Sequence, residues 1–124
     1  FPFVSKIIPM YKSKKLYILI SDLSEHTQNI NINHKVSLYF SLKELNKTKS
    51  NNPRLTINGI VKKNAFKKDD KEFIDLLSAY AKIESGSKMW GMFADFNFYS
   101  LQPIRALYIE GFGKAYQKDY KNYK

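Results

Sequence analysis

The chain has 124 residues, of which 44% are hydrophobic, and it carries 9 Phe and 9 Tyr, so one packed domain over residues 1–124 is expected and disorder is excluded. The absence of cysteine excludes disulfides and thiolate metal sites, and the 2 histidines, His26 and His34, are too few for a closed zinc site, so we expect no structural metal. The formal charge of +10 favours anionic partners without choosing among them.

The first 20 residues predict two strands joined by a turn. Residues 1–10 are rich in β-branched and aromatic side chains, with prolines near both ends, which is typical of a strand. Residues 12–15 predict a hairpin turn. Residues 16–20 form a short, uninterrupted apolar run, which predicts a buried strand rather than a helix.

A polar segment follows, and its first residues are good helix caps. Residues 21–30 predict one or two helical turns, with Leu23 and Ile30 facing inward. Residues 36–42 alternate apolar and polar side chains and predict a half-exposed strand. Residues 43–53 are polar and end in Asn-Asn-Pro, which predicts a loop.

The second half predicts a strand, a helix and two further strands. Residues 54–61 predict a strand, with Gly59 as a bulge or a point of close approach. Residues 69–82 predict a helix, because capping aspartates precede apolar residues at helical spacing, namely Phe73, Leu76, Leu77 and Tyr80. A connector containing Trp90 leads to a strand over 93–101. Pro103 is expected to break it from a last strand over 105–116.

These elements predict a mainly β (α+β) domain. About six short strands with one or two helices fit an antiparallel sheet that closes on itself, because most connections are too short for parallel crossovers. The lysines fall in three clusters in predicted turns or at the chain end, and we interpret them as a solvated surface. We predict no nucleic-acid partner, because exposed aromatic residues are not interleaved with these lysines as single-strand binding requires.

The apolar run of residues 16–20 is far shorter than the roughly 20 residues of a membrane span. We therefore predict no membrane partner and a cytoplasmic location. Enzyme signatures are also missing: the pair Gly111 and Gly113 lacks the third glycine of a dinucleotide loop, and Ser85-Gly86-Ser87 lacks the pattern of a nucleophile elbow. No catalytic residue is assigned.

One segment combines candidate donors for an anionic ligand. Ser21, Ser24 and Thr27 carry hydroxyls, and His26 and Asn29 add nitrogen donors, next to the free amides of a short helix. Such a set suits a phosphate or a carboxylate ligand. Ordinary capping and turn hydrogen bonds are the alternative, and the residues alone favour that alternative.

The order of motifs along the chain resembles the HugZ/HutZ-type heme-utilisation proteins of the pyridoxamine-phosphate-oxidase-like split-barrel group. The matching segments are residues 19–30 (LISDLSEHTQNI), 36–38 (VSL), 54–59 (RLTING), 95–103 (DFNFYSLQP) and 111–115 (GFGKA). The resemblance implies an antiparallel split β-barrel of six or more strands. It also implies a homodimer with heme near the subunit interface, oxidative heme degradation with iron release as the activity, and FMN as the ligand of wider relatives.

The resemblance also assigns residues to the expected site. It adds Arg54 and Asp95 to the five donors named above, with Asp95 hydrogen bonding at the heme and His26 bonding an acidic group rather than iron. Flavin-binding relatives have cations where this chain has Glu25 and His26, which disfavours FMN. The heme-utilisation pattern has Arg where this chain has Gln28, which weakens an anion site in either case.

The family draws its iron ligand from a His-containing tail and begins with a further strand and helix, so we expect the chain to be part of a longer protein. Three hypotheses remain open at this point: a heme-binding and heme-degrading protein, an FMN-dependent oxidoreductase, and a binding module without a cofactor. The first predicts a Soret band with hemin, and the second predicts a yellow protein.

Overall fold

The structure is a computed structural model and describes residues 4–41, 52–111 and 113–120. Its strands are β1 (Met10–Lys12), β2 (Lys15–Ser21), β3 (Lys35–Ser41), β4 (Arg54–Lys63), β5 (Phe96–Gly111) and β6 (Lys114–Asp119). Its helices are α1 (Glu25–Ile32), α2 (Lys71–Ala81) and α3 (Ser87–Trp90). The mainly β composition predicted from the sequence is confirmed.

The strands form one sheet in the order β1-β2-β5-β4-β3, and β6 also pairs with β5. Every pairing with a described register is antiparallel. The turn between β1 and β2 contains Ser13 and Lys14, whose φ angles of 53° and 64° lie in the left-handed region that a tight hairpin requires. The hairpin predicted at residues 12–15 is therefore confirmed.

The chain divides into two compact units, which we call unit 1 (Phe1–His34 and Val61–Leu101) and unit 2 (Lys35–Ile60 and Gln102–Lys124). Unit 1 holds β1, β2, the first part of β5 and the three helices. Unit 2 holds the β3–β4 hairpin and the β5–β6 hairpin. The long strands β4 and β5 each contribute residues to both units.

Unit 1 has a core between α2 and the β2–β5 strand pair. The predicted stripe of α2 is confirmed, since Phe73, Leu76, Leu77 and Tyr80 are all buried. These side chains pack on Phe98 of β5, whose ring centre lies 5.4 Å from that of Phe73 and 5.9 Å from that of Tyr80. Neighbouring residues on the opposite faces of β2 and β5 are also buried, including Ile18 and Tyr99.

Unit 2 is built differently, because its strands are only half-buried. Along β3 the burial alternates as predicted, with Val36, Leu38 and Phe40 half-buried and their neighbours exposed. Gly59 pairs with Val36 in regular register, so it is not a bulge in this hairpin. Among the described residues, every buried hydrophobic side chain of the core belongs to unit 1.

The N-terminal half departs from expectation at two places. Residues 4–9 are not a strand, and only Met10–Lys12 pair with β2; residues 1–3 lie outside the described ranges. Leu23 does not face inward but is 75% exposed, because it lies in the turn before α1 rather than on the helix. The predicted helical turns are present as α1, and most of the predicted loop at 43–53 lies outside the described residues.

In the C-terminal half, Pro103 does not break the chain into two strands. β5 runs through it: pairing with β2 ends at Leu101 and pairing with β6 begins at Arg105, so neither of these two ladders needs an N–H from residue 103, and β4 is a third neighbour of β5. The chain reverses near Gly113 (φ 77°), where a strand had been predicted to continue. The predicted connector contains the short helix α3.

Candidate functional site

The turn between β2 and α1 is held together by its own hydroxyl groups. The Ser24 Oγ and Thr27 Oγ1 atoms both donate to the Ser21 carbonyl, at 2.9 and 2.6 Å, and lie 2.8 Å from each other. Thr27 is 0% exposed. These hydroxyls therefore build the turn, as the alternative interpretation of the sequence had it, and Thr27 in this conformation supports the turn from inside.

The same network leaves the N-terminus of α1 without a side-chain cap. Ser24 occupies the N-cap position with extended backbone, yet its hydroxyl makes no capping hydrogen bond because it is directed to Ser21 and Thr27. The first-turn amides of a helix have no partner within the helix, and because Thr27 is 0% exposed, those of Glu25 and His26 are the ones that α1 can offer to solvent or to an anion. The first turn also carries Glu25, whose charge opposes an anion there.

His26 lies in the first turn of α1 and is half-buried. Its Nδ1 atom is 3.2 Å from the Ser5 Oγ atom in the segment before β1. Burial lowers the pKa of His26, which favours the neutral imidazole. Asn29 lies one turn further along, is half-buried, and accepts the amide of Asn33 through its carbonyl.

Asp95, just before β5, is bound to the end of β2 in two ways. Its Oδ2 atom accepts a hydrogen bond from the Ser21 Oγ at 2.6 Å, and its carbonyl accepts the Asp22 amide at 2.7 Å. The residue matched by resemblance thus lies against the predicted turn. The structure brings Ser21, Ser24, Thr27 and Asp95 together by direct or shared hydrogen bonds, with His26 and Asn29 on the helix that follows.

Arg54 is the one predicted site residue that belongs to unit 2. It is the first residue of β4, pairs with Ser41 of β3, and donates from Nη1 to the Asn52 carbonyl at 3.3 Å. Within the described ranges, no group of three His, Asp or Glu side chains is arranged to hold a metal ion.

Asp22 is a central polar residue of unit 1 that sequence reasoning missed. Its Oδ2 atom accepts hydrogen bonds from Lys63 Nζ at 3.2 Å and Asn97 Nδ2 at 2.7 Å, and its Oδ1 atom accepts the Tyr99 hydroxyl at 2.9 Å. Burial, together with the hydrogen bond to Asp22, raises the pKa of Tyr99 well above its usual range. The only sequence signal was the period-two placement of Asn97 and Tyr99 on one strand face.

Lys68 was also missed, because the sequence analysis assigned it to a solvated cluster. Its Nζ atom donates to the Gly91 carbonyl at 3.0 Å and to the Phe96 carbonyl. Burial lowers the pKa of Lys68, and the carboxylates of Asp22 and Asp95 oppose that shift. No periodicity or motif of the sequence indicates contacts between residues so far apart along the chain.

Among the helices in the described part of the chain, none is both long and apolar enough to span a bilayer.

The six-stranded antiparallel arrangement is shared with several solved structures. A heme binding protein from Mycobacterium smegmatis is 16% identical with a TM-score of 0.77, over 91% of this chain and 45% of that one. ChuZ from Campylobacter jejuni is 24% identical with a TM-score of 0.78, over 94% of this chain and 48% of that one. HutZ, a heme storage protein from Vibrio cholerae, is 21% identical with a TM-score of 0.64, over 78% of this chain and 68% of that one.

These likenesses define the class of fold, which is the split barrel of the pyridoxamine-phosphate-oxidase-like group, as the sequence predicted. The chain spans about half the length of the first two of these structures. The family model described as "CREG, beta-barrel" matches residues 3–124, and the chain belongs to that family. No curated protein sequence matches the chain.

Proposed function

We propose that this chain binds heme through the uncapped N-terminus of α1. The observation that carries the proposal is the hydrogen bonding of the Ser24 hydroxyl within the turn, which leaves the amides of Glu25 and His26 without a side-chain cap, beside a half-buried imidazole whose lowered pKa favours its neutral form. Amides and an imidazole N–H are donors for carboxylates such as heme propionates. The similarity to structures titled as heme binding and heme storage proteins supports the same ligand.

The side chains near this turn fit the two parts of a heme. The polar part is the set of donors at the start of α1, and Asp95 adds an acceptor fixed to the end of β2. We assign the apolar part to two exposed side chains near these residues in sequence: Leu23, which is 75% exposed and follows Asp22, and Phe93, which is 54% exposed and precedes Asp95 by two residues. A flat hydrophobic ring would reduce the exposure of such side chains. We assign no iron ligand.

Glu25 favours heme over FMN in this arrangement. It places a negative charge in the first turn of α1, where a phosphate with up to two charges would be repelled more strongly than a singly charged propionate. Ser21, Ser24 and Thr27 enter the proposal as the residues that shape the turn. We propose His26 and Asn29 as residues that contact the ligand; Arg54, in unit 2, stays a proposed site residue on the sequence resemblance alone.

The activity proposed for the bound heme is oxidative degradation with release of iron, as the sequence resemblance implies. Ascorbate as the electron donor, together with dioxygen as the oxidant, should bleach the heme of the loaded protein, and iron should become available to a chelator. A stable heme spectrum under these conditions would restrict the protein to binding or storage.

A titration with hemin tests binding. We expect a Soret band distinct from that of free hemin at micromolar protein, and no such change would contradict the proposal. Glu25→Gln should tighten binding about two- to fivefold, because it removes a like charge whose repulsion of a propionate is about 0.5–1 kcal/mol. Glu72→Gln is the matched control, since Glu72 is the acidic residue in the first turn of α2. A yellow protein with a flavin spectrum would favour FMN instead.

We further propose that the active form is a homodimer. Unit 2 leaves the apolar side chains of its strands half-buried, including Val36, Leu38 and Phe40, and a second copy offers a self-complementary surface to cover them. Sedimentation should show a dimer that is strengthened by salt, because the net charge of +10 makes two copies repel each other. A monomer at every concentration and salt level would contradict this.

Two expectations from the sequence remain proposals. A single domain over residues 1–124 should unfold in one cooperative transition, whereas two separate transitions would contradict it. A cytoplasmic location is to be tested by cell fractionation.

A further inference from the structure

Lys68 lies in the segment between β4 and α2 and contacts the connector that leads into β5. Its Nζ atom donates to the Gly91 carbonyl at 3.0 Å and to the Phe96 carbonyl, and it lies 4.4 Å from the centre of the Phe73 ring. Hydrogen bonds from a charged donor are stronger than neutral ones, and the aromatic face adds a cation–π contact. Three partners therefore fix the position of this ammonium group.

The two carbonyls that Lys68 binds lie on either side of Asp95 in the sequence. Gly91 precedes Asp95 by four residues, and Phe96 follows it directly. On its other side, Asp95 is bound to the end of β2 through the Ser21 hydroxyl and the Asp22 amide. The segment that carries Asp95 is thus attached at one side to β2 and at the other to Lys68.

Charge gives Lys68 a second role in the same place. The carboxylates of Asp22 and Asp95 interact favourably with its ammonium. Lys63, by comparison, makes an ion pair with Asp22 at 3.2 Å but is about half exposed, and such pairs contribute little. Lys68 therefore combines hydrogen bonds to two backbone carbonyls with a favourable charge interaction with both carboxylates.

We propose that Lys68 is a positioning residue, which fixes Asp95 and the adjoining Ser21 turn in the geometry that receives the ligand. The inference rests on the proposed heme site, although the attachment of the Asp95 segment can be measured without any ligand. Loss of the Lys68 ammonium frees the 91–96 connector, and the hydrogen bond from the Asp22 amide to the Asp95 carbonyl opens more often.

The first experiment is hydrogen exchange of the ligand-free protein. Lys68→Met keeps the length of the side chain and its contact with Phe73 but removes the donor, and Lys67→Met is the control with the same change in net charge. The Asp22 amide is expected to exchange about tenfold faster in Lys68→Met, while it is unchanged in Lys67→Met. The Val61 amide, which donates to His34, serves as an internal reference in both variants.

The second experiment is a hemin titration of the same proteins. We expect about tenfold weaker binding and a shifted Soret maximum for Lys68→Met, recovery in Lys68→Arg, and no change for Lys67→Met. Should Lys68→Met not fold, Lys68→Gln replaces it, with an intermediate effect expected because one donor group is kept.

The two readouts separate the possible failures. Unchanged Asp22 exchange and unchanged hemin binding in Lys68→Met overturn the positioning role while the heme site stands. Faster exchange together with absence of hemin binding by the unmodified protein overturns the proposed function and leaves Lys68 as a residue that only stabilises the structure. Equal effects in Lys67→Met and Lys68→Met also overturn the inference.

Discussion

The antiparallel strands of the two units differ in how deeply their side chains are buried. In unit 1, β2 and the first part of β5 are buried on both faces, with Leu19 and Phe98 toward α2 and Ile18 and Tyr99 on the other side. In unit 2, burial alternates along β3 between half-buried and exposed residues, and every residue of β6 is exposed. Unit 1 therefore contains the buried hydrophobic core of the described residues, whereas the hydrophobic side chains of unit 2 remain half-buried or exposed to solvent.

The two units also differ in the side-chain contacts that their residues make. The site residues of unit 1 are tied to each other by short hydrogen bonds, as in the Ser21–Asp95 contact of 2.6 Å. In unit 2, Tyr108 and Tyr116 stack at 6.3 Å with both rings exposed. The ligand site that we propose lies beside these hydrogen bonds in unit 1, whereas the exposed strands of unit 2 are where we propose contact with a second copy.

The largest expected effect of a substitution is in the core of unit 1. Phe98→Ala removes a side chain of 0% exposure that contacts Tyr17, Phe73 and Tyr80. The free energy of unfolding of the Phe98→Ala protein should be lower than that of the unmodified protein by about 3–5 kcal/mol. Urea denaturation measures this.

Phe40→Ala in unit 2 is the control for that prediction. Phe40 is half-buried, so the loss should be about 1 kcal/mol. If unit 2 forms the dimer contact, the loss should grow with protein concentration. Equal losses in the two variants would contradict the distinction between the units.

High pH should weaken unit 1 through its buried phenols. Burial raises the pKa of Tyr80 from 10.0 to about 12. Stability associated with a raised pKa is complete below the value of the unfolded chain and is lost as the pH rises through the folded value. The free energy of unfolding should therefore fall between pH 10 and about 12, by about 2–3 kcal/mol from Tyr80.

Tyr80→Phe should reduce this pH dependence, although it also loses the hydrogen bond to the Ile8 carbonyl. Tyr99 contributes in the same direction and remains in that variant. Tyr11→Phe is the control, because Tyr11 is 69% exposed. Identical pH profiles for the two variants would show that burial of Tyr80 does not govern the alkaline transition.

The space around backbone glycines should also be tighter in unit 1 than in unit 2. A Cβ atom added at Gly91 of unit 1 would lie 2.5 Å from the Ser87 carbonyl and 2.7 Å from Leu77 Cδ1, so Gly91→Ala should cost about 1–3 kcal/mol. Gly113 of unit 2 has open space around it, and only its φ of 77° opposes a side chain. Gly113→Ala should cost about 1 kcal/mol. Thermal unfolding of the pair tests this, and a larger cost at Gly113 would reverse the comparison.

The smallest expected effect concerns Asp22 and its donors. Asp22→Asn should lower the free energy of unfolding by about 1–2 kcal/mol, because the half-buried Asn97 amide and the buried Tyr99 hydroxyl lose a charged acceptor. Lys63→Met removes only the exposed ion pair and should cost about 0.5 kcal/mol. Equal losses in free energy of unfolding for Asp22→Asn and Lys63→Met would show that the stabilisation comes from the ion pair rather than from the hydrogen bonds.

Local residue patterns in the sequence predicted many of the helices and strands correctly. The spacing of Phe73, Leu76, Leu77 and Tyr80 predicted α2, and the alternation at Val36, Leu38 and Phe40 predicted β3. The strand break predicted at Pro103 is wrong, since the cost of a missing N–H depends on which strand lies beside it, and strand pairing cannot be read from the local sequence.

The site was predictable only in part. Ser21, Ser24 and Thr27 were identified as one polar cluster, but whether their hydroxyls face a ligand or the turn depends on geometry that composition does not contain. Asp95 came from the resemblance. Asp22 and Lys68 were missed because their partners are distant in sequence and meet only once β2, β4 and β5 are paired.

The central claim is that the start of α1 in unit 1 receives the ligand. It is tested most directly by NMR of the protein titrated with a diamagnetic metalloporphyrin such as gallium protoporphyrin. We predict that the largest amide shifts occur at Glu25, His26 and Asp95. The β5–β6 hairpin, including Tyr108 and Tyr116, should shift little. Shifts confined to that hairpin, or spread evenly over the chain, would contradict the account.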